Sequence, residues 1–295
     1  MSETVPDHLI GFTLPDRDAR GRMVRLGPVL GEILSAHAYP PVIRDLLAEA
    51  LVLTALMGAL LKDDDAGQLT LQAQSEGGIV DLLACDYRGG ELRGYVRHDP
   101  DRMGAIREGA TLNDLFDGGY LAITFDLAAT GQRYQGVVPL EGASLAAACE
   151  AYFAQSEQVP TLIRVGVRPV PGGVVAGGLL VQHLPEGEEG RERIHVRMDH
   201  PEWEHVAVLA GTTSWDELTD GQLSLTDLLW RLFHEEREVR VSEIATLTRG
   251  CRCSVAHFRD VLGRFGEAEL GEMRDERGVI AVDCAFCSKV FDIDI

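Results

Sequence analysis

The sequence is poor in positive charge and has no long apolar run. Lys and Arg together number 27 against 47 Asp and Glu, a formal net charge of −20. So acidic a surface repels phosphates, which argues against a general nucleic-acid binder. It also keeps a chain soluble, which matters if its work exposes apolar surface. The longest apolar stretch, Ala50 to Leu61, is too short to span a bilayer, and Arg44, Asp45, Glu49 and Lys62 flank it. Met1 to His8 has neither the basic region nor the apolar stretch of a secretory signal. The expectation is a cytoplasmic protein with no membrane and no nucleic acid among its partners.

Catalytic signatures are missing too. The glycine pairs at 77–78, 89–90, 172–173 and 177–178 fit neither a P-loop nor a dinucleotide fingerprint, so they read as turns. His234-Glu235-Glu236 begins like a zinc-protease helix, but position 238 is Glu where a second histidine is needed. The other histidines are scattered, and Ser144 and Ser156 fit helix ends better than nucleophiles. Nothing before residue 190 argues for an active site, and the expectation is that the protein is not an enzyme.

What is present is an ordinary globular composition, 45% hydrophobic and 25% charged over 295 residues, enough for a substantial core. Residues 9 to 26 read as two short strands turning near Asp18–Gly21. Pro41 opens a helix whose apolar residues, from Ile43 to Leu60, cover much of its surface, as in a deeply buried helix. Alternation in Leu69–Gln74 marks a strand, and further strands read at Tyr120–Phe125, Tyr134–Leu140, Leu162–Arg168 and Val174–Val181. Ser144 is placed to cap a helix running to about Gln155. Strands mixed with helices in this way predict an α+β fold. Pro185–Arg193 is polar, charge-dense and glycine-containing, as a linker is. Beyond it Leu225, Leu228, Leu229, Leu232 and Phe233 form an amphipathic stripe. Core packing is its commonest explanation; conditional packing, as a binding face for client proteins, is the alternative. Glu235–Ser242 reads as a short strand. The expected division is an α+β core at 1–184, a metastable helical linker region at 185–240 and a small zinc-binding domain at 241–295.

Four of the six cysteines cluster near the end: Cys251-Arg252-Cys253, then thirty residues, then Cys284-Ala285-Phe286-Cys287. Two close pairs far apart in sequence suit a tetrahedral Zn²⁺ site, one ion per chain. The C-x-C pair is unusual. In an extended strand residues two apart have Cα atoms about 6.5–7 Å apart, so a Cys251–Cys253 disulfide needs bending and is strained, hence readily reduced. A permanent structural zinc, and a zinc site that oxidises to two local disulfides, both remain open on spacing. Four thiolates leave a zinc site at −2, partly offset by Arg249, Arg252 and Lys289. A structural zinc contributes about 10–16 kcal/mol to a small domain. The segment between the pairs offers only Phe258, Val261, Leu262, Phe265, Leu270 and Met273 as a core, so it is expected to fold with metal and unfold without it. Cys85 and Cys149 stand alone and read as buried core thiols.

These cysteines resemble the switch of the redox-regulated 33-kDa heat-shock chaperone family. The resemblance extends over nearly the whole chain: Gly119-Tyr-Leu-Ala-Ile-Thr, Arg133-Tyr-Gln-Gly-Val-Val138, Leu140-Glu-Gly-Ala-Ser-Leu-Ala-Ala, Ser156-Glu157-Gln158 with Pro160-Thr161, and Leu229-Trp230-Arg231-Leu232-Phe233-His234-Glu235-Glu236. It implies an ATP-independent holdase. It further implies a reduced, zinc-bound, inactive monomer that oxidants with unfolding stress convert to a client-binding homodimer. The disulfides so implied are Cys251–Cys253 and Cys284–Cys287. The chain stops eight residues after Cys287, where some relatives are expected to continue; this bears on the stability of the zinc fold, not its chemistry. The competing readings are a zinc-ribbon adaptor with permanent metal and a thiol oxidoreductase built on Cys284-x-x-Cys287, which lacks the βαβ context such a motif needs.

Overall fold

The structure, a computed structural model, describes residues 7–61, 67–106, 109–184 and 200–295. The linker-like Pro185–Arg193 and the charged end of the helix opened by Pro41, from Lys62, lie outside the described residues. In chain order the first half runs β1 (His8–Leu14), β2 (Ala19–Leu26), α1 (Pro28–Leu34), α2 (Pro41–Gly58), β3 (Gln68–Gln74), β4 (Val80–Arg88), β5 (Glu91–His98), α3 (Leu112–Phe116), β6 (Tyr120–Leu127) and β7 (Gln132–Pro139). There follow α4 (Leu145–Tyr152), β8 (Thr161–Val170), β9 (Gly173–His183), α5 (Pro201–Gly211), α6 (Trp215–Thr219) and α7 (Leu225–Phe233). The chain closes with β10 (Arg240–Thr246), β11 (Thr248–Arg249), α8 (Val255–Leu262), α9 (Glu267–Met273), β12 (Ile280–Asp283) and β13 (Val290–Ile293). The predicted α+β class holds.

Two sheets form the body. One has the order β10-β1-β2-β9-β8, antiparallel throughout. The other runs β11-β5-β4-β3-β6-β7, antiparallel except where β11 joins β5. Their patterns differ for a physical reason. Strand β3 alternates strictly between buried and half-buried because only one face of its sheet meets the core. Strand β9 is buried from Val174 to His183 because helices cover its sheet on both sides.

Helix α2 lies between the sheets and packs on both, as its all-round apolar surface predicts. Glycines set how close it comes. A Cβ at Gly94 would meet the Leu47 Cδ1 at 3.0 Å, and one at Gly178 would meet the Val52 Cγ1 at 2.5 Å. The outer face of the first sheet, carrying Ile10, Phe12, Leu14, Met23, Leu179 and Val181, is covered by α5, α6 and α7. Among the described residues no helix is long and apolar enough to cross a membrane.

Polar contacts hold this helical cover in place. Arg25, buried on β2, donates to the carbonyls of Glu217, Leu218 and Leu223 at 2.6–3.0 Å, satisfying acceptors that the end of α6 leaves open. Arg17, at the β1–β2 turn, donates to Glu202 of α5 and, at 2.8 Å, to Glu236 just after α7. The ring of His205 completes the clasp, 2.7 Å from Glu236.

The Glu236 side chain is only 6% exposed. Burial works to raise its pKa, but Arg17 and His205 outweigh burial and hold it below the usual 4.5. A depressed carboxylate contributes stability that is fully present above its unfolded value and lost as pH falls through its folded one. Acidifying below about pH 4.5 should therefore loosen α5–α7 before the body of the fold. Arg17→Met should abolish most of that acid dependence, read by hydrogen exchange at α5 and α7. Equal acid sensitivity in the variant would remove Glu236 from the explanation.

Candidate metal centre

The first cysteine pair is placed by an edge strand. Thr248 donates to the Gly90 carbonyl at 3.0 Å and Gly250 to the Leu92 carbonyl at 2.8 Å, which stitches β11 to β5 immediately before Cys251. The second pair sits in the turn between β12 and β13. There Cys287 and Ser288 both donate to the Cys284 carbonyl, and Cys284 donates to the carbonyl of Lys289. Ser288 takes a left-handed φ of 56°, which lets the chain reverse so tightly.

The result is a convergent cluster. Cys251 Sγ lies 3.2 Å from Cys253 Sγ and 3.6 Å from Cys284 Sγ, and Cys253 Sγ lies 3.5 Å from Cys287 Sγ. All four sulfurs fall within 4.8 Å of one another and can hold one metal ion. Electrostatics says what a bound cation would do there. Burial works to raise the Cys251 pKa, but hydrogen bonds from the Cys253 backbone and from the neighbouring thiols bring it down to about 7. Burial and those same neighbours raise Cys253 and Cys284. One thiolate is stabilised by its neighbours' S–H groups; each further one meets like charge. Only a cation allows all four to ionise together. Cys85 and Cys149, by contrast, are fully buried, and desolvation pushes both thiols up and makes them inert.

The small unit around the cluster has a core of Leu262, Leu270, Ile280 and Ile293, with Phe258, Val282 and Phe291 against it. Of the residues expected to form that core, Val261, Phe265 and Met273 are exposed instead. The β12–β13 hairpin replaces them, since two short helices have too few facing positions to bury all six. The last residues of the chain are integral to it: Ile293 is fully buried, and Arg274 donates to the Ile295 carbonyl.

Residues between the ligands tie this unit to the six-stranded sheet. Arg252 donates to Gln68 Oε1 at 2.7 Å and reaches Asp86 Oδ2 at 3.5 Å. Gln68 donates to Thr70, Thr70 to Asp86, and Arg93 also to Asp86. The Arg93 guanidinium lies 4.1 Å over the ring of Phe286, which meets Tyr95 edge-on at 4.9 Å. A polar chain thus runs from the middle of one cysteine turn through the buried Asp86 to the middle of the other. His37, just after α1, adds a contact at 2.8 Å to the Ala285 carbonyl, and Ser288 donates to the Ala36 carbonyl. Sequence reasoning treated Arg252 only as a counter-charge and did not single out Phe286, His37 or Asp86 for any role. A charged residue inside C-x-C and an aromatic one inside C-x-x-C were the available signals.

The amphipathic stripe lies elsewhere, on the five-stranded sheet. Leu225, Leu228, Leu229 and Phe233 are buried and Leu232 packs against them, with the Phe233 ring 5.8 Å from Phe12. Trp230 on the opposite side of α7 is exposed.

The family model described as Hsp33 protein matches residues 7–294. A 33 kDa chaperonin of Caulobacter vibrioides is 39% identical over 296 residues, with 98% of this chain and 95% of the relative covered. One of Shewanella sediminis is 37% identical over 289 residues, covering 98% and 93%. The crystal structure of the 33 kDa chaperonin of Thermotoga maritima superposes with a TM-score of 0.76 at 24% identity, over 97% of this chain and 94% of that one, a likeness of fold.

Titrating the reduced chain with Co²⁺ should give a thiolate charge-transfer band that saturates at one ion per chain, and Cys284→Ser should abolish it. Arg252→Ala should leave that stoichiometry intact but weaken retention about 10–100-fold, as expected when a group that orients ligands is lost. Unchanged dissociation of the ion would show that docking and ligation are independent.

Proposed function

Because the chain belongs to the Hsp33 family, we propose that it is a redox-regulated, ATP-independent holdase chaperone that binds unfolding client proteins and prevents their aggregation. The observation that carries this reading is that the four thiols converge on one point while the residues between them hold the unit against the core. A change at the sulfurs therefore changes what the core is attached to.

In this reading the resident ion is Zn²⁺. With Zn–S bonds of about 2.3 Å a tetrahedron of sulfurs has edges of about 3.8 Å, close to the 3.5 and 3.6 Å separations across the two turns. Bound zinc supplies the positive charge that keeps four thiolates together. The ligands are Cys251, Cys253, Cys284 and Cys287. A peroxide that takes two electrons from the two thiolates of a pair, with two protons from solvent, would form one S–S bond and leave as two waters; a second peroxide would do the same at the other pair, and the four sulfurs could then no longer hold the ion. The pairing Cys251–Cys253 and Cys284–Cys287 is the one the family resemblance implies, and Cys251 Sγ lies nearer Cys253 Sγ (3.2 Å) than Cys284 Sγ (3.6 Å). Once the ion leaves, only residues of one turn remain tethered at bonding distance.

The three parts are a core at 1–184, a metastable linker region at 185–240 and the switch at 241–295, with β10 and β11 the part of the switch paired to core strands. Losing the metal removes most of what orders a unit with so small an apolar core, and with it the contacts of Arg252 and Phe286. The linker helices α5–α7 then leave the five-stranded sheet. That would bare the Leu225, Leu228, Leu229, Leu232 and Phe233 stripe, together with the sheet face it covers, as surfaces for clients. The reduced form is a monomer and the oxidised form a homodimer, in the cytoplasm.

Peroxide with mild heating should release one zinc and consume four thiols per chain, with a simultaneous gain in suppression of client aggregation. Hydrogen exchange at α7 should accelerate in the same interval. Zinc that stays bound, or activity that does not change when zinc leaves, would sink the switch.

A further inference from the structure

Strands β1, β2, β8 and β9 contain no Asp or Glu, although the chain carries 47 of them. Their arginines are Arg20, Arg22, Arg25, Arg164 and Arg168. Two of these, Arg25 and Arg168, reach into the cover formed by α5–α7. Arg25 donates to the carbonyls of Glu217, Leu218 and Leu223, and Arg168 donates to that of Thr219. All four carbonyls belong to α6 and the turn after it. Arg168 Nε is buried and has no acceptor among the described residues. Burial works against the charge on Arg25, and Asp220, at the end of α6, works for it. The acceptors of both guanidiniums therefore sit on the cover, not on the sheet.

Beside the two arginines the sheet has a slot. Arg25, Gly177 and Gly166 lie side by side across β2, β9 and β8. A Cβ at Gly177 would collide with the Leu218 carbonyl, and one at Gly166 would come within 2.9 Å of the Trp215 carbonyl oxygen. The backbone of α6 thus rests on bare main chain, with its last carbonyls aimed at both guanidiniums. The neighbouring rows on the same face are apolar, with Met23 opposite Leu179 in one and Phe12 and Val181 flanking Gly21 in the next. The segment seated there is acidic. From His200 to Trp230 it has no Lys or Arg, but it has Glu202, Glu204, Asp216, Glu217, Asp220 and Asp227. Its leucine stripe packs on the same apolar rows. Cover and face match in charge as well as in apolar surface.

We propose that the sheet face vacated by α5–α7 is a receptor for acidic amphipathic segments of unfolding proteins, held through Arg25 and Arg168, and that α6 is its tethered resident occupant. Once α6 departs, both guanidiniums lose their protein acceptors. A carboxylate satisfies such a planar fork with two parallel, charge-assisted hydrogen bonds. The carbonyls at the negative end of a client helix offer what α6 offers now. Apolar side chains of the same segment fill the rows of Met23, Leu179, Phe12 and Val181. A basic segment of equal hydrophobicity meets like charge at the slot and is disfavoured. This inference rests on the reading of the protein as a holdase whose oxidation releases α5–α7. In the reduced chain α6 fills the receptor, so no client site is open there.

The test uses the full-length chain oxidised by peroxide with mild heating, and the reduced, zinc-loaded chain as control. The probes are two labelled synthetic peptides sharing one amphipathic pattern of Leu and Phe, with Glu at the polar positions of one and Lys at those of the other. Binding is followed by fluorescence anisotropy at about 0.15 M salt, where the acidic surface elsewhere is screened beyond about 8 Å. The oxidised chain should bind the Glu peptide at least about tenfold more tightly than the Lys peptide, and the reduced chain should bind neither. Arg168 is partly exposed, so Arg168→Gln is the variant of choice; replacing the buried Arg25 risks the fold itself. Arg168→Gln should cut the preference about fivefold without weakening the Lys peptide. An unlabelled peptide of residues 212–233, added in trans, should displace the Glu peptide. Equal affinity for the two probes, or a Glu preference that Arg168→Gln leaves unchanged, would overturn the receptor. Equal binding of the Glu peptide to the reduced chain, or no displacement by residues 212–233, would overturn the role of α6 as occupant. An oxidised chain that suppresses aggregation but binds neither peptide sinks the receptor and leaves the holdase reading intact. Arg168-dependent binding of the Glu peptide without aggregation suppression does the reverse.

Discussion

Like charge at one point governs the behaviour of the C-terminal unit. Four sulfurs within 4.8 Å cannot all ionise unless a cation sits among them. Leu262, Leu270, Ile280 and Ile293 alone are a small core, so under the proposed function the folding of the last forty or so residues would depend on that cation.

The condition is passed on by the residues between the ligands. Arg252 and Phe286, each between two of the clustered cysteines, face the six-stranded sheet, and both end on the network around Asp86. Asp86 is buried and already satisfied by Thr70 and Arg93, so the core does not need Arg252 in order to stand. This asymmetry suits a detachable contact. Loss of the unit removes the partner's share of the network without leaving a buried charge unpaired, which is the costly case. On the other sheet, partly exposed Arg17 and Glu202 and the nearly buried Glu236 hold apolar helices that a rigid core would have absorbed outright.

Much of the fold was legible because its elements obey short-range rules. Proline at Pro41 with apolar residues all round predicts a buried helix, and the strict alternation of β3 predicts a one-sided sheet; both hold. The strand expected at 235–242 begins instead at Arg240, because Glu236 is drawn into the clasp with Arg17, a contact 219 residues away in sequence. The Ser144-capped helix gives way at Phe153 to a wider turn that ends at Gln158 with φ 55°, a local widening that periodicity does not reveal. Val261, Phe265 and Met273 were expected inside and lie outside because spacing along a helix says which residues share a face but not whether anything covers it.

By itself the sequence determined the chemistry: four thiols in two local pairs, an acidic surface, and an amphipathic stripe ahead of them. Covalent spacing suffices for that, since residues two or three apart in a turn are neighbours in any fold. Only the tertiary structure decided what those groups touch. It set Arg252 against Gln68 and Asp86, Phe286 beneath Arg93, and the Leu225–Phe233 stripe on the outer face of the five-stranded sheet. Each of these pairs joins segments remote in sequence, and their meeting depends on sheet order and helix placement, which no local pattern encodes.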